Sequence, residues 1–370
     1  MFVMLGNMIK HDHFSSSTEL SVEATGVEFN SVKVVDNVEM TDAERVGVDH
    51  LMEADEELKP CWASPRPKDQ LSNGFVTFSL TIGPEYHISQ ITDAVVIARY
   101  LGAALVLPEV RGLKLGNTRK FEDVYDVGKF MRSLNGVVKV IHELPDEVSA
   151  RKPAVIRVPD QVTEDIISET IQPIFQKNNY LRLAVDFSSV SFQPKETNNK
   201  DLDSTACLAM FSSLQLKPEY SEVAKQMLAR LKESSKESEG VVLAIDLQKD
   251  LLEKKSCRSN GSSRRKGCYY PHEVLGFLRK ADIMPAENKG EFLKSSNMDL
   301  ARALDLEICS QSDVFVPAIT GLFYGHVTGK RIPSGWTQIL VPAPGPGTSV
   351  QNFVSTYVLK KSHLAYKCYC

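Results

Sequence analysis

No stretch of the 370 residues reaches about 18 apolar positions, so the chain shows no membrane-crossing helix. Neither sign of charge dominates. The 43 Lys+Arg stand against 47 Asp+Glu, a net charge of −4, and no basic field points to nucleic acid. Seven cysteines are too few for a disulfide scaffold, no C-x-x-C pair occurs, and Cys368 and Cys370 lack nearby histidines, which argues against a zinc or other metal site. G-x-G-x-x-G, the P-loop, H-E-x-x-H and G-x-S-x-G are all missing. Dinucleotide dehydrogenases, NTPases, zincins and serine hydrolases lose their sequence grounds. The apolar opening from Met1 to Ile9 is short and has no basic lead, so it does not read as a signal peptide. By itself the sequence reads as soluble and cytosolic.

What is present is an ordinary folded composition, 42% hydrophobic and 24% charged. The length gives a prior of two to three domains, each able to build a core without covalent staples. Residues 17–60 hold twelve acidic and three basic residues without sustained periodicity, and Ala63-Ser64-Pro65-Arg66-Pro67 follows. Residues 1–73 are therefore expected to be a disordered acidic arm. Order is expected from Gly74 onward. A β-rich run to Leu80, the turn Gly83-Pro84, helical spacing of Ile88, Ile91, Ala94, Val95 and Ala98, and the run Ala103 to Pro108 spell a βαβ unit with a parallel sheet. Strands follow at 153–158 and 181–187, with helices at 162–177 and 205–236. A second α/β region opens with the strand 240–247, then a helix at 271–280, a helix at 297–310, a strand at 313–317 and a last helix after Gly347. Between Ala281 and Leu293 no strand is legible, as if a strand–helix unit were missing. The fold class is α/β: two facing Rossmann-like domains, 74–235 and 236–370, behind the arm.

Candidate chemistry gathers at strand ends, where open α/β sheets bind ligands. The turn from Gly83 through Tyr86 to Gln90 offers a helix N-terminus to an anion, and His87 is the group there whose ordinary titration lies near neutrality. A packed, hydrogen-bonded histidine is the alternative. Alternation along the second-domain strand puts Asp246, Gln248 and Asp250 on one side, as a cleft cluster or a solvated strand end. Asp313 leads a strand into Thr320-Gly321, a turn suited to a diphosphate, with Lys330 and Arg331 beyond it. Asp201-Leu202-Asp203 has metal–diphosphate spacing but reads better as a solvated acidic loop. Cys257 and Cys268 bracket a loop that a disulfide closes or that keeps two free thiols. Asn260-Gly261-Ser262 within it is a glycosylation pattern suited to a secretory lumen.

Residues 74–112, GFVTFSLTIGPEYHISQITDAVVIARYLGAALVLPEVRG, resemble the first block of the plant O-fucosyltransferase-like glycosyltransferases, mannan-synthesis-related branch. Phe121 to Val127, Cys207 to Phe211, Leu252 to Lys255, Ser312 to Arg331 and His363 to Tyr366 carry the resemblance to the end of the chain. It implies a GT-B fold with the acceptor on the first domain and a GDP-sugar donor on the second. It also implies inverting transfer without metal or cofactor, a glycan acceptor, and Golgi residence on an N-terminal anchor not visible here. His87 would then be the catalytic base near the acceptor. Asp246, Gln248, Asp313, Thr320, Gly321 and Arg331 would line the donor phosphates, and Gly83, Tyr86 and Gln90 the cleft turn. The chain departs from the wider family at His87, Gln90 and Asp246-Leu247-Gln248, which stand where Asn, Arg and H-x-R are expected. Gln248 cannot supply the charge of that last arginine. A non-catalytic role beside a mannan synthase is the alternative.

Overall fold

The computed structural model describes residues 2–6 (backbone only), 57–62, 72–81, 83–112, 117–159, 162–185, 192, 199–234, 242–247, 277–294, 297–317, 321–341 and 354–370. Two sheets organise them. The first contains β2 (Phe75–Leu80), β3 (Ala104–Val106), β4 (Glu109–Arg111), β5 (Thr118–Arg119), β6 (Val140–Ile141), β7 (Ala154–Val158) and β8 (Tyr180–Val185). β2 is central, flanked by β3 and β8, with β6 beyond β3 and β7 beyond β8, all parallel. β4 runs beside the end of β2 and carries β5 antiparallel. The second sheet has the order β10-β1-β9-β11, all parallel: Phe277–Arg279, Phe2–Gly6, Leu243–Leu247 and Val314–Pro317.

Helix α1 (Pro84–Leu101) explains how the two sheets share one core. Pro84 sits at its first turn, where a missing N–H costs nothing. Gly102, in the left-handed region at φ 61°, ends it by returning its N–H to the last carbonyls. Between these caps Ile88, Ile91, Ala94, Val95, Ile97, Ala98 and Leu101 are all buried. Ser89, Gln90, Thr92 and Arg99 are buried as well, so the helix is enclosed on nearly every side and belongs to the interior. α1 packs on β2 and on α2 (Lys200–Leu208) within the first half. On its other side it packs on α4 (Met298–Gln311) and α5 (Leu322–Arg331) of the second half. At the buried end of α1, Arg99 meets Asp201 at 2.9 Å, while Asp203 pairs with Lys367 at 2.9 Å. Both acids of the D-x-D are thus spent on structure.

Several expectations need correction. Residues 1–73 are not wholly a disordered arm. β1 pairs on both edges within the second sheet. Leu58, Lys59 and Cys61 hydrogen-bond to Pro333, Cys370 and Cys368, and Cys61 is disulfide-bonded to Cys370. Paired backbone and a covalent link offset an acidic composition that cannot bury much surface of its own. Residues 277–279 are strand rather than helix, and residues 271–276 of that expected helix lie outside the described residues. No strand follows it up to Leu293, where short helices at Lys280–Ile283 and Ala286–Phe292 stand instead. α3 (Pro218–Ser234) belongs to the first domain by position, yet it packs on α4, and its Tyr220 ring meets Phe292 edge-on. The expected last helix is two short ones, Thr356–Leu359 and Ala365–Cys368. A second disulfide joins Cys207 of α2 to Cys368. Cys257 and Cys268 lie outside the described residues.

Candidate functional site

The carboxyl end of β2 and the start of α1 form a neutral, saturated network. Gln90 accepts from the Thr81 N–H at 3.0 Å and donates to its hydroxyl at 2.9 Å. His87 donates from Nε2 to the Thr81 carbonyl at 2.6 Å. A carbonyl can only accept, so the proton is assigned to Nε2 and Nδ1 accepts from the Tyr125 hydroxyl at 2.5 Å. His87 is 1% exposed, and burial pushes its pKa down to about 4. The expectation that it serves as catalytic base is therefore corrected. Both ring nitrogens are engaged and solvent is excluded, so the ring holds the turn in place. Gln90 is equally buried and equally committed.

Charge enters from the second half. On α4, Asp299 and Arg302 lie one turn apart and reach the same region. Asp299 accepts from the Gly83 N–H at 3.2 Å, and burial raises its carboxyl above the ordinary range. Arg302 binds Asp246 at 2.8 and 3.4 Å. It approaches Glu85 at 3.6 Å and lies 3.5 Å above the Phe323 ring centroid. Asp246 is thus at the carboxyl end of β9 as expected, but it grips an arginine rather than facing open solvent. Glu85, in the first turn of α1, has its pKa raised by burial, which Arg302 only partly opposes. Beneath them Lys280 pairs with Asp305 at 2.6 Å, and burial lifts Asp305 to about 6. From α5, His326 meets the Ser89 hydroxyl at 3.1 Å and hydrogen-bonds the Glu85 carbonyl. Burial takes His326 down to about 3. Phe192 packs edge-on against its ring, where Gly325 leaves room that a Cβ would fill.

The remaining expected donor residues divide by which end of the strands they occupy. Gly321 caps α5 just beyond β11, on the same side as Asp246, and the space around it is open. Thr320 and Gln248 lie outside the described residues. Asp313 and Arg331 are corrections. Asp313 precedes β11, so it sits at the amino end, where it accepts from the Val242 N–H at 2.7 Å. Arg331, at the far end of α5, is fully buried. It donates to the carbonyls of Cys309, Ser312, Asp313, Trp336 and Gln338. Desolvation lowers its pKa to about 10. Neither residue faces the junction. The sequence reading missed Glu85, Asp299, Arg302 and His326. Asp299 and Arg302, three apart on an expected helix, were the available signal.

A sequence model of the family described as GDP-fucose protein O-fucosyltransferase matches residues 88–268. Protein MANNAN SYNTHESIS-RELATED 1 of Arabidopsis thaliana is 44% identical over 409 aligned positions, covering 100% of this chain and 96% of that protein. The chain belongs to the mannan-synthesis-related branch of the plant O-fucosyltransferase-like glycosyltransferase family. Another member of the branch, Protein MANNAN SYNTHESIS-RELATED of Trigonella foenum-graecum, is 38% identical over 100% of this chain and 96% of its own length. The 409 aligned positions exceed the 370 residues here, so the branch carries residues this chain lacks. Among solved structures, POFUT1 in complex with GDP is similar at 13% identity, covering 74% of this chain and 99% of that one, with a TM-score of 0.38. Among the described residues no helix is long and apolar enough to cross a membrane.

Proposed function

We propose that this chain is a glycosyltransferase of cell-wall mannan synthesis, with a GT-B arrangement and a GDP-sugar donor held between its halves. The carrying observation is the meeting of the Gly83–Tyr86 turn with Asp299, Arg302 and Asp246 across the sheet junction. Strand ends of two α/β halves converge there, as they do where such folds bind nucleotides. Gly321 opens a helix N-terminus on the same side, suited to the leaving diphosphate together with Thr320. In this reading the acceptor approaches from the Gly83 and Tyr86 side, with the buried Gln90 bracing the turn from within. Transfer inverts the anomeric carbon in one displacement, with no metal in the step. The two disulfides support an oxidising lumen, in keeping with the Golgi.

A second reading has its own support. Arg302 is held by Asp246 and Glu85, Arg331 by backbone carbonyls, and Gln248 is neutral. A chain whose arginines are so engaged suits a non-catalytic partner of a mannan synthase. Calorimetry with GDP and turnover assays with GDP-fucose and GDP-mannose separate the two. Micromolar GDP binding with turnover supports the transferase, and absence of both supports the partner role.

A further inference from the structure

Two buried polar atoms at the junction lack hydrogen-bond partners, Oε2 of Glu85 and Nε of Arg302. They belong to residues that approach each other, yet the nearest pair, Nε to Oε1, is 3.6 Å apart and too long for a hydrogen bond. Buried polar groups are seldom left this way, because each forfeits its hydration without return. The group that satisfies both must accept from a guanidinium N–H and donate to a carboxylate oxygen. A phosphate only accepts and is repelled by Glu85. An ammonium only donates. A hydroxyl does both, a water's or a sugar's, and the neighbouring Tyr86 ring favours the sugar.

Gly83 adjoins the carboxylate. A Cβ there would crowd Glu85 Oε2, at 3.3 Å, and the Tyr86 ring, at 3.0 Å, so glycine lets the backbone lie close to both. Its φ of 103° further restricts the position to glycine. The half-buried Tyr86 ring lies beside the same glycine and suits the C–H face of a pyranose. Glu85 comes from the first half and Arg302 from the second, so a hydroxyl shared by the two would bridge the halves.

We propose that Glu85 and Arg302 bind one hydroxyl of an acceptor sugar between them, against Gly83 and beside Tyr86, and that Glu85 takes its proton. Within the transferase reading, on which the proton transfer rests, the balance is simple. Glu85 gains the proton, and the hydroxyl oxygen forms its bond to the donor's anomeric carbon. The bond from that carbon to the diphosphate oxygen breaks, and its electron pair leaves with the GDP. Glu85 then returns the proton to solvent. Burial raises the Glu85 carboxyl, the direction that makes a carboxylate a stronger base.

The full chain is tested with β-linked manno-oligosaccharides as acceptors, by saturation-transfer NMR and in the transfer assay. Glu85→Gln keeps shape but cannot take a proton. Transfer is expected to fall about 100-fold or more, the acid limb of the pH profile to vanish, and GDP affinity to stay within twofold. Glu85→Ala and Tyr86→Ala are each expected to weaken oligosaccharide binding about tenfold. Glu85→Gln that transfers within threefold of the parent overturns the proton role. Unchanged oligosaccharide binding in Glu85→Ala, or none by the parent at millimolar concentration, overturns the site. A parent that binds oligosaccharide but not GDP leaves the sugar site standing and removes the transferase reading instead.

Discussion

The two sides of the junction handle burial in opposite ways. On the first side, Thr81, His87, Gln90 and Tyr125 satisfy one another as neutral groups, and nothing in that network needs a partner from elsewhere. On the second, Asp246, Arg302, Asp305 and Lys280 are buried as ions, and Arg302 reaches across to Glu85. Neutral networks fix a turn, whereas an ionic one depends on whichever charge faces it. In the proposed reading the chemistry of the site is carried where the two meet, not by the histidine whose residue type suggested it.

The sharpest way to break this contrast is Arg302→Met. It leaves Asp246, 3% exposed, as an uncompensated buried charge, and such a loss is expected to cost about 3–5 kcal/mol. Urea unfolding measures it, and a cost below about 1 kcal/mol would mean that water already solvates the acids. The covalent contribution comes next. Replacing Cys207 and Cys368 together by serine removes the bond between α2 and the tail and is expected to cost about 2–4 kcal/mol. Peptide mapping without reductant confirms the pairing first.

His87→Gln tests the neutral side and is expected to cost about 1–3 kcal/mol, since buried groups lose partners. It also has a pH signature. The folded pKa of about 4 lies below the ordinary 6.5, so the unfolded chain binds more protons in that window. The stability His87 gives is complete above pH 6.5 and is lost as pH falls through about 4. The variant's stability should decline less steeply over that range than the parent's. The smallest effect is expected from Asp93, whose Oδ2 is buried without a partner and whose pKa burial raises from 3.8 to about 7. Its contribution runs the other way: present below pH 3.8 and lost as pH rises through about 7. Asp93→Asn should gain on the parent at pH 8 by about 1 kcal/mol and lose that advantage at pH 5. An equal melting-temperature difference at both pH values would show that Asp93 is solvated.

The sheet strands were legible because buried parallel strands are short apolar runs bounded by breakers, as from Phe75 to Leu80 and Val314 to Pro317. β1 was not, since five apolar residues gain a strand's identity only from partners 240 or more positions away. Phe277–Arg279 failed for a related reason: helical spacing upstream concealed a three-residue strand. At the site, Asp246 and Gly321 were legible from their position after strands. Arg302 was not, because nothing local says which of many basic residues will cross 56 positions to meet Asp246. Nor did spacing disclose that Cys61 and Cys207 would both pair with the tail.

Those two bonds also decide what a protease can do. Cys61 and Cys370, 309 positions apart, close the chain between them into one covalent ring, and Cys207–Cys368 adds a strut within it. One cut anywhere between Cys61 and Cys370 opens the ring without freeing a fragment. A cut between Cys207 and Cys368 still leaves both bonds holding the pieces. The halves of a nicked molecule thus stay at high effective concentration, and the junction that carries Glu85 and Arg302 can close again without a bimolecular encounter.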